Sequence, residues 1–377
     1  MLAFQRCVPE AVGQGSDMSE FAEIAGKFLI PGACAAAGAL GAALLSPGSR
    51  SGPVTDTRPW LSIAGGATLA VGLAAGVLLA AGAVFGARPA PFSPQIDAEW
   101  YVWNVVVAVA LGVVMLALAR RASTAGPRGA VVVWCGAVLV AVLLGLLQLQ
   151  LGLKSAAQTQ FAAEPVPADG QTVAAWRMAL ARSWWLEAAA CVLALVPCAA
   201  LLVPAGKARA SGARREGRWD RRLDQGVLAV VGAAMAGALP ALFYARSIKV
   251  FEIGAASALM TAIVLLGALV RPRRGAEWIL GGFVLSILLG SVVGTHYYAS
   301  LSAVPGALML LAPGAGACAL LLLRSRRPLV GVVAGVIATL VLMAVAAALT
   351  RRANHHPDDL YGVAPGGTTY ALASCTN

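Results

Sequence analysis

KARASGARREGRWDRR, residues 207–222, and VLAVVGAAMAGALPALFY, residues 227–244, stand almost side by side in this chain, and together they decide its fold class. The first places seven Lys and Arg in sixteen positions; the second has no charge in eighteen and, as a helix, is long enough to cross the hydrocarbon of a bilayer. An apolar run bounded by cations reads as a membrane span, and the side on which the cations collect sets its direction.

The same pattern extends over the whole chain. Of 377 residues, 59% are hydrophobic and 12% charged, and the mean hydropathy is +0.79. Water-soluble domains carry about 25% charged residues, so this composition leaves too little polar surface for a soluble globule. The net charge of +11 would point to nucleic acid in a soluble protein. Here the cations lie in short loops between apolar runs, where anionic headgroups meet them, and no nucleic-acid partner is expected.

Apolar runs cover 28–45, 61–85, 102–118, 131–151, 186–203, 227–244, 250–270, 278–297, 304–323 and 329–349. The predicted fold is therefore an all-α polytopic membrane bundle of about ten transmembrane helices. A polar N-terminal tail, 1–27, lacks the basic start and short apolar core of a secretory signal. The first transmembrane half, 28–205, and the second, 225–349, flank the basic loop at 206–224, and a polar tail, 350–377, follows. The prolines and acids of ARPAPFSPQIDAEW, 87–100, make a helix there implausible, and the Gly/Pro-rich tail reads as loop. Pro305 and Pro313 leave open a re-entrant turn in place of the eighth and ninth crossings.

Alternating the spans puts eighteen of the 28 Lys and Arg on one side, including every interior loop with at least three clustered cations. That side is expected to be cytoplasmic, with both termini on the other. Trp60, Trp100 and Trp103 fall at the ends of runs, as an interfacial aromatic belt does, and Trp176, Trp184 and Trp185 are expected to anchor a short surface helix over 172–182 and the following span in the interface. The expected location is the cell's inner (plasma) membrane. Arg214, Arg215, Arg218, Trp219, Arg221 and Arg222 are the expected contacts with anionic lipid or a cytoplasmic partner.

Ionisable residues within spans are where function is first sought, because a charge in hydrocarbon costs about 2.5–3.5 kcal/mol on insertion scales. Glu187 follows a Trp pair and can reach the interface. Tyr244, Arg246, Lys249 and Glu252 gather at the outer mouth of the sixth and seventh spans. Lys249 and Glu252, three apart, are placed to pair on one helix face, and Glu252 is the candidate proton or ion contact. His296, His355, His356 and Asp358 share the same expected side, but adjacent histidines in a tail lack the spacing that aims two imidazoles at one metal, so no metal or cofactor is favoured. Cys7 and Cys375, the two cysteines in polar sequence, are a possible disulfide between the chain ends if both tails face an oxidising compartment.

Catalytic motifs are sparse. Gly254-Ala-Ala-Ser257-Ala258 resembles in part the GxSG of rhomboid intramembrane proteases, with His296 on the next span; Ala258 stands where that motif has Gly, and small-residue packing accounts for Ser257. Two halves of opposite orientation would fit an inverted-repeat transporter, although no residue-by-residue similarity joins them. The expectation is a non-enzymatic integral subunit or scaffold of an envelope complex, in contact with lipids and other membrane subunits. A proton- or ion-coupled transporter or channel component using Glu252 is the alternative.

Overall fold

The structure, a computed structural model, describes residues 22–46, 61–86, 97–122, 136, 216–270, 275–298, 301–323 and 328–354. These residues form eight long helices: α1 (Ala22–Leu44), α2 (Ile63–Phe85), α3 (Asp97–Ala122), α4 (Glu216–Tyr244), α5 (Ile248–Val270), α6 (Ala276–Tyr298), α7 (Ala303–Leu323) and α8 (Pro328–Asn354). Seven of them, all but α6, are long and apolar enough to cross a membrane. The fourth and fifth expected spans, the outer ends of both tails and the first part of the basic loop lie outside the described residues.

Several helices outrun their apolar cores. Helix α1 begins at Ala22, ahead of the apolar run, and includes a π-helical turn, Ala25–Leu29. Contrary to expectation, the segment before the third span is partly helical: α3 starts at Asp97, after the last proline, Pro94, and acidic residue types in a first turn suit the positive N-terminal end of a helix. Helix α4 reaches back through Glu216–Arg222, so this part of the basic stretch is helix rather than loop. Helix α8 likewise carries Arg351, Arg352 and Asn354 of the expected tail in its last turns. Charged residues continue a helix as readily as apolar ones, so hydropathy marks where the chain can be buried and not where the helix stops.

Local chemistry sets several ends. The Ser62 side chain caps α2 by accepting from the Gly65 N–H at 2.8 Å. It also donates to the Leu45 carbonyl at 2.8 Å, while the Ser62 N–H donates to Ser46 Oγ at 2.9 Å, joining the end of α1 to the start of α2. Gly275, at φ 103°, precedes α6, and its N–H donates to both carboxylate oxygens of Glu277 at 2.9 Å. Helices α6 and α7 each run without interruption, the latter through Pro313.

Helix α6 is the centre of the described bundle, contacting α2, α3, α4, α5 and α7. Ile279, Leu280, Phe283, Val284 and Ile287 are all fully buried, as a helix that is apolar all round should be when neighbours enclose it. Around it, α1 packs chiefly on α2, α3 on α6, and α8 on α7 and α4. Small residues permit the closest approaches: a methyl group added to Gly72 of α2 would lie 2.6 Å from the Cys34 carbonyl of α1. One added to Gly316 of α7 would lie 2.7 Å from the Gly335 carbonyl of α8.

Candidate functional site

The ionisable residues singled out in the second half lie along one rim, built around the turn between α4 and α5. Three residues, Ala245–Ser247, make that turn, and Arg246 adopts the left-handed conformation at φ 60°. A side chain there costs on the order of 1 kcal/mol, which surrounding contacts must offset. The Arg246 Nη2 donates to the Asn354 carbonyl at the end of α8, 2.7 Å away. Asn354 Nδ2 in turn donates to the Tyr244 carbonyl at 3.0 Å, and the Arg351 guanidinium sits 5.7 Å from the Tyr244 ring centroid. These contacts tie the end of α4 to the end of α8.

On the other flank of α5 the partner of Glu252 is Lys27. Its Nζ donates to the Glu252 carboxylate at 2.7 Å and also to Glu23, one turn earlier on α1. The side chains of Lys27 and Glu252 are 13% and 19% exposed, so the pair is largely withdrawn from solvent. The pair expected on one face of α5, Lys249 with Glu252, gives way to this link between helices. Lys249 instead lies 5.6 Å from the centroid of the Phe85 ring at the end of α2. Lys27 sits in the middle of the π-helical turn. Such turns recur at functional positions because the inserted residue re-aims the side chains around it.

The rim thus collects the starts of α1 and α5 and the ends of α2, α4 and α8. Phe243 makes edge-to-face contacts with Tyr244 and Phe251, at 5.6 and 5.5 Å between centroids, which fits a headgroup-level aromatic layer. His296 falls in the last turn of α6. Arg218, Trp219, Arg221 and Arg222 fall in the first turns of α4. Glu187, Arg214, Arg215, His355, His356, Asp358, Cys7 and Cys375 lie outside the described residues. Among the described residues, no three His, Cys, Asp or Glu side chains converge as a metal site would require.

Hydropathy alone does not single out Lys27, because the apolar run begins only at Phe28, one residue after it. Glu23 and Lys27 are spaced i, i+4 with the acid first, the favourable order on a helix, and that spacing was the available signal for an earlier start. Below the rim, Ser257 of α5 is fully buried and its hydroxyl has no hydrogen-bond partner among the described residues. Thr261 donates to the Ser257 carbonyl at 2.8 Å, a local helix contact rather than activation of a nucleophile.

The described residues are helical, and seven of their helices are long and apolar enough to cross a membrane, as a multi-pass membrane protein requires. No protein-family model matches the chain, and no curated protein or solved structure is significantly similar to it.

Proposed function

We propose that this chain is a non-catalytic integral subunit or scaffold of a membrane complex, residing in the plasma membrane with about ten crossings and both termini on the non-cytoplasmic side. The observation that carries the reading is the Lys27–Glu252 pair at 2.7 Å. It gives the ionisable residue best placed for transport a structural task, holding α1 against α5. The close packing around α6 supports the same reading, because a bundle joined by small residues and apolar side chains is built to be held rather than to open. No cofactor is required by it.

A proton- or ion-coupled transporter is the second reading, favoured by the buried hydroxyls beneath Glu252: Ser257 and Thr261 on α5, Ser291 and Thr295 on α6. In that case protonation of Glu252 would have to release Lys27. Two measurements separate the readings. Purification in mild detergent is expected to recover the chain with stoichiometric membrane partners, and recovery as a lone species would refute the subunit role. Reconstituted alone in liposomes, the protein is expected to carry no proton or cation flux. Flux that is lost in Glu252→Gln would establish the transporter instead.

A further inference from the structure

We infer that the first turns of α1, Ala22–Leu29, form a hinged strap over Glu252, pivoting at Pro31 and latched by Lys27. The hinge has a covalent cause. A proline within a helix has no N–H to give, and its ring clashes with the carbonyl four residues earlier, here that of Lys27. The turn just before Pro31 is the π-helical one, in which the Ile30 N–H donates to the Ala25 carbonyl, five residues back rather than four. The wider turn relieves the clash, and the bond that Pro31 cannot make leaves this the natural point for α1 to bend.

The two sides of that joint are held differently. Pro31 and Gly32 are buried. A methyl added to Gly76 of α2 would lie 3.0 Å from the Pro31 carbonyl, and one added to Gly32 would meet Ile263 and Leu259 of α5 at 3.3 and 3.4 Å. Close packing therefore fixes the pivot. Ahead of it none of residues 22–30 falls in the core, and Ile24, Leu29 and Ile30 are 53, 53 and 50% exposed. The π turn lies against α2 and α5, but a methyl added to Gly26 would stand an ordinary 3.6 Å from Ala83. Among the described residues, the polar link from this segment to another helix is Lys27 to Glu252. Glu23 belongs to the strap itself, one turn before Lys27, and accepts from the same ammonium. Opening thus breaks one pair, leaves Lys27 with Glu23, and uncovers the Glu252 carboxylate. Such a strap serves a scaffold and a transporter alike, because it governs how Glu252 is reached.

Hydrogen–deuterium exchange on the full chain in mild detergent reads the strap, residues 22–30, separately from the body of α1, residues 35–44. Glu252→Gln is expected to speed exchange of 22–30 at least about tenfold and to leave 35–44 within about twofold, because a local opening has a free energy of its own. Exchanging the charges, Lys27→Glu with Glu252→Lys, is expected to bring 22–30 back to within about threefold of the unaltered protein. Pro31→Ala returns an N–H to the Lys27 carbonyl, so the two segments are expected to exchange together and Glu252→Gln to lose most of its effect. Equal acceleration of both segments in Glu252→Gln would overturn the hinge. Unaltered exchange of 22–30 in that variant, or failure of the exchanged charges to restore protection, would overturn the latch. If Pro31→Ala does not fold, the Glu252→Gln and charge-exchanged proteins decide both points.

Discussion

Lys27 and Glu252 illustrate how much a single contact depends on surroundings. Each alone is a charge at the edge of a span; together they form one partly buried pair joining α1 and α5. Removing one member leaves the other poorly solvated, so Lys27→Met and Glu252→Gln should each destabilise by about 1–2 kcal/mol, less than the 3–5 kcal/mol found for fully buried pairs. The double variant should recover most of the loss, which a double-mutant cycle by thermal unfolding in detergent would measure. Simple additivity of the two losses would show that the residues do not interact. Ser257 presents the opposite case: its hydroxyl is buried and unpartnered, so Ser257→Ala should be neutral or stabilising by up to about 1 kcal/mol. A marked loss of stability would show that the hydroxyl holds a water or a ligand. The sequence named Glu252 and Ser257 but not the partner of the first or the isolation of the second. Partners 225 positions apart in the chain are set by packing, which no local pattern encodes.

Among the elements, the α1–α2 pair depends most visibly on glycine. Gly72 approaches the α1 backbone so closely that an added methyl would meet the Cys34 carbonyl at 2.6 Å and the Gly38 Cα at 2.8 Å, both backbone atoms that cannot turn aside. Gly72→Ala should therefore cost about 1–3 kcal/mol, the usual range for overpacking. Gly267→Ala on α5 is the matching control, since its methyl would meet Ala39 at an ordinary 3.8 Å. It should be neutral or stabilising by about 0.5–1 kcal/mol, as expected for replacing a mid-helix glycine. Unfolding midpoints that moved equally in both variants would sink the close-approach argument. Element boundaries show a related limit of sequence. The apolar cores of α2, α5 and α7 match their helices within about two residues, whereas α4 and α8 continue into basic segments that hydropathy assigned to loop or tail.

For the molecule as a whole, the topology expected from the loop cations is open to direct test. Reporters active only outside the cytoplasm, fused after Asn354 and within residues 207–215, should be active at the first position and inactive at the second. The reverse pattern would invert the orientation and place the rim of Glu252 in the cytoplasm.

By itself the sequence determined that this is a helical membrane protein, because composition and run length are direct measures of what each segment can bury, and a span satisfies its backbone within itself. The distribution of its cations also sets an expectation for which ends share a side, since cations resist crossing. The tertiary structure decided which helix occupies the centre, which glycines face a neighbour, and that Glu252 takes Lys27 while Lys249 lies against Phe85. In a chain where nearly every span is apolar on all sides, hydropathy cannot distinguish a face turned to lipid from one turned to another helix. That choice is made by shape and by a few charges finding one another across the bundle.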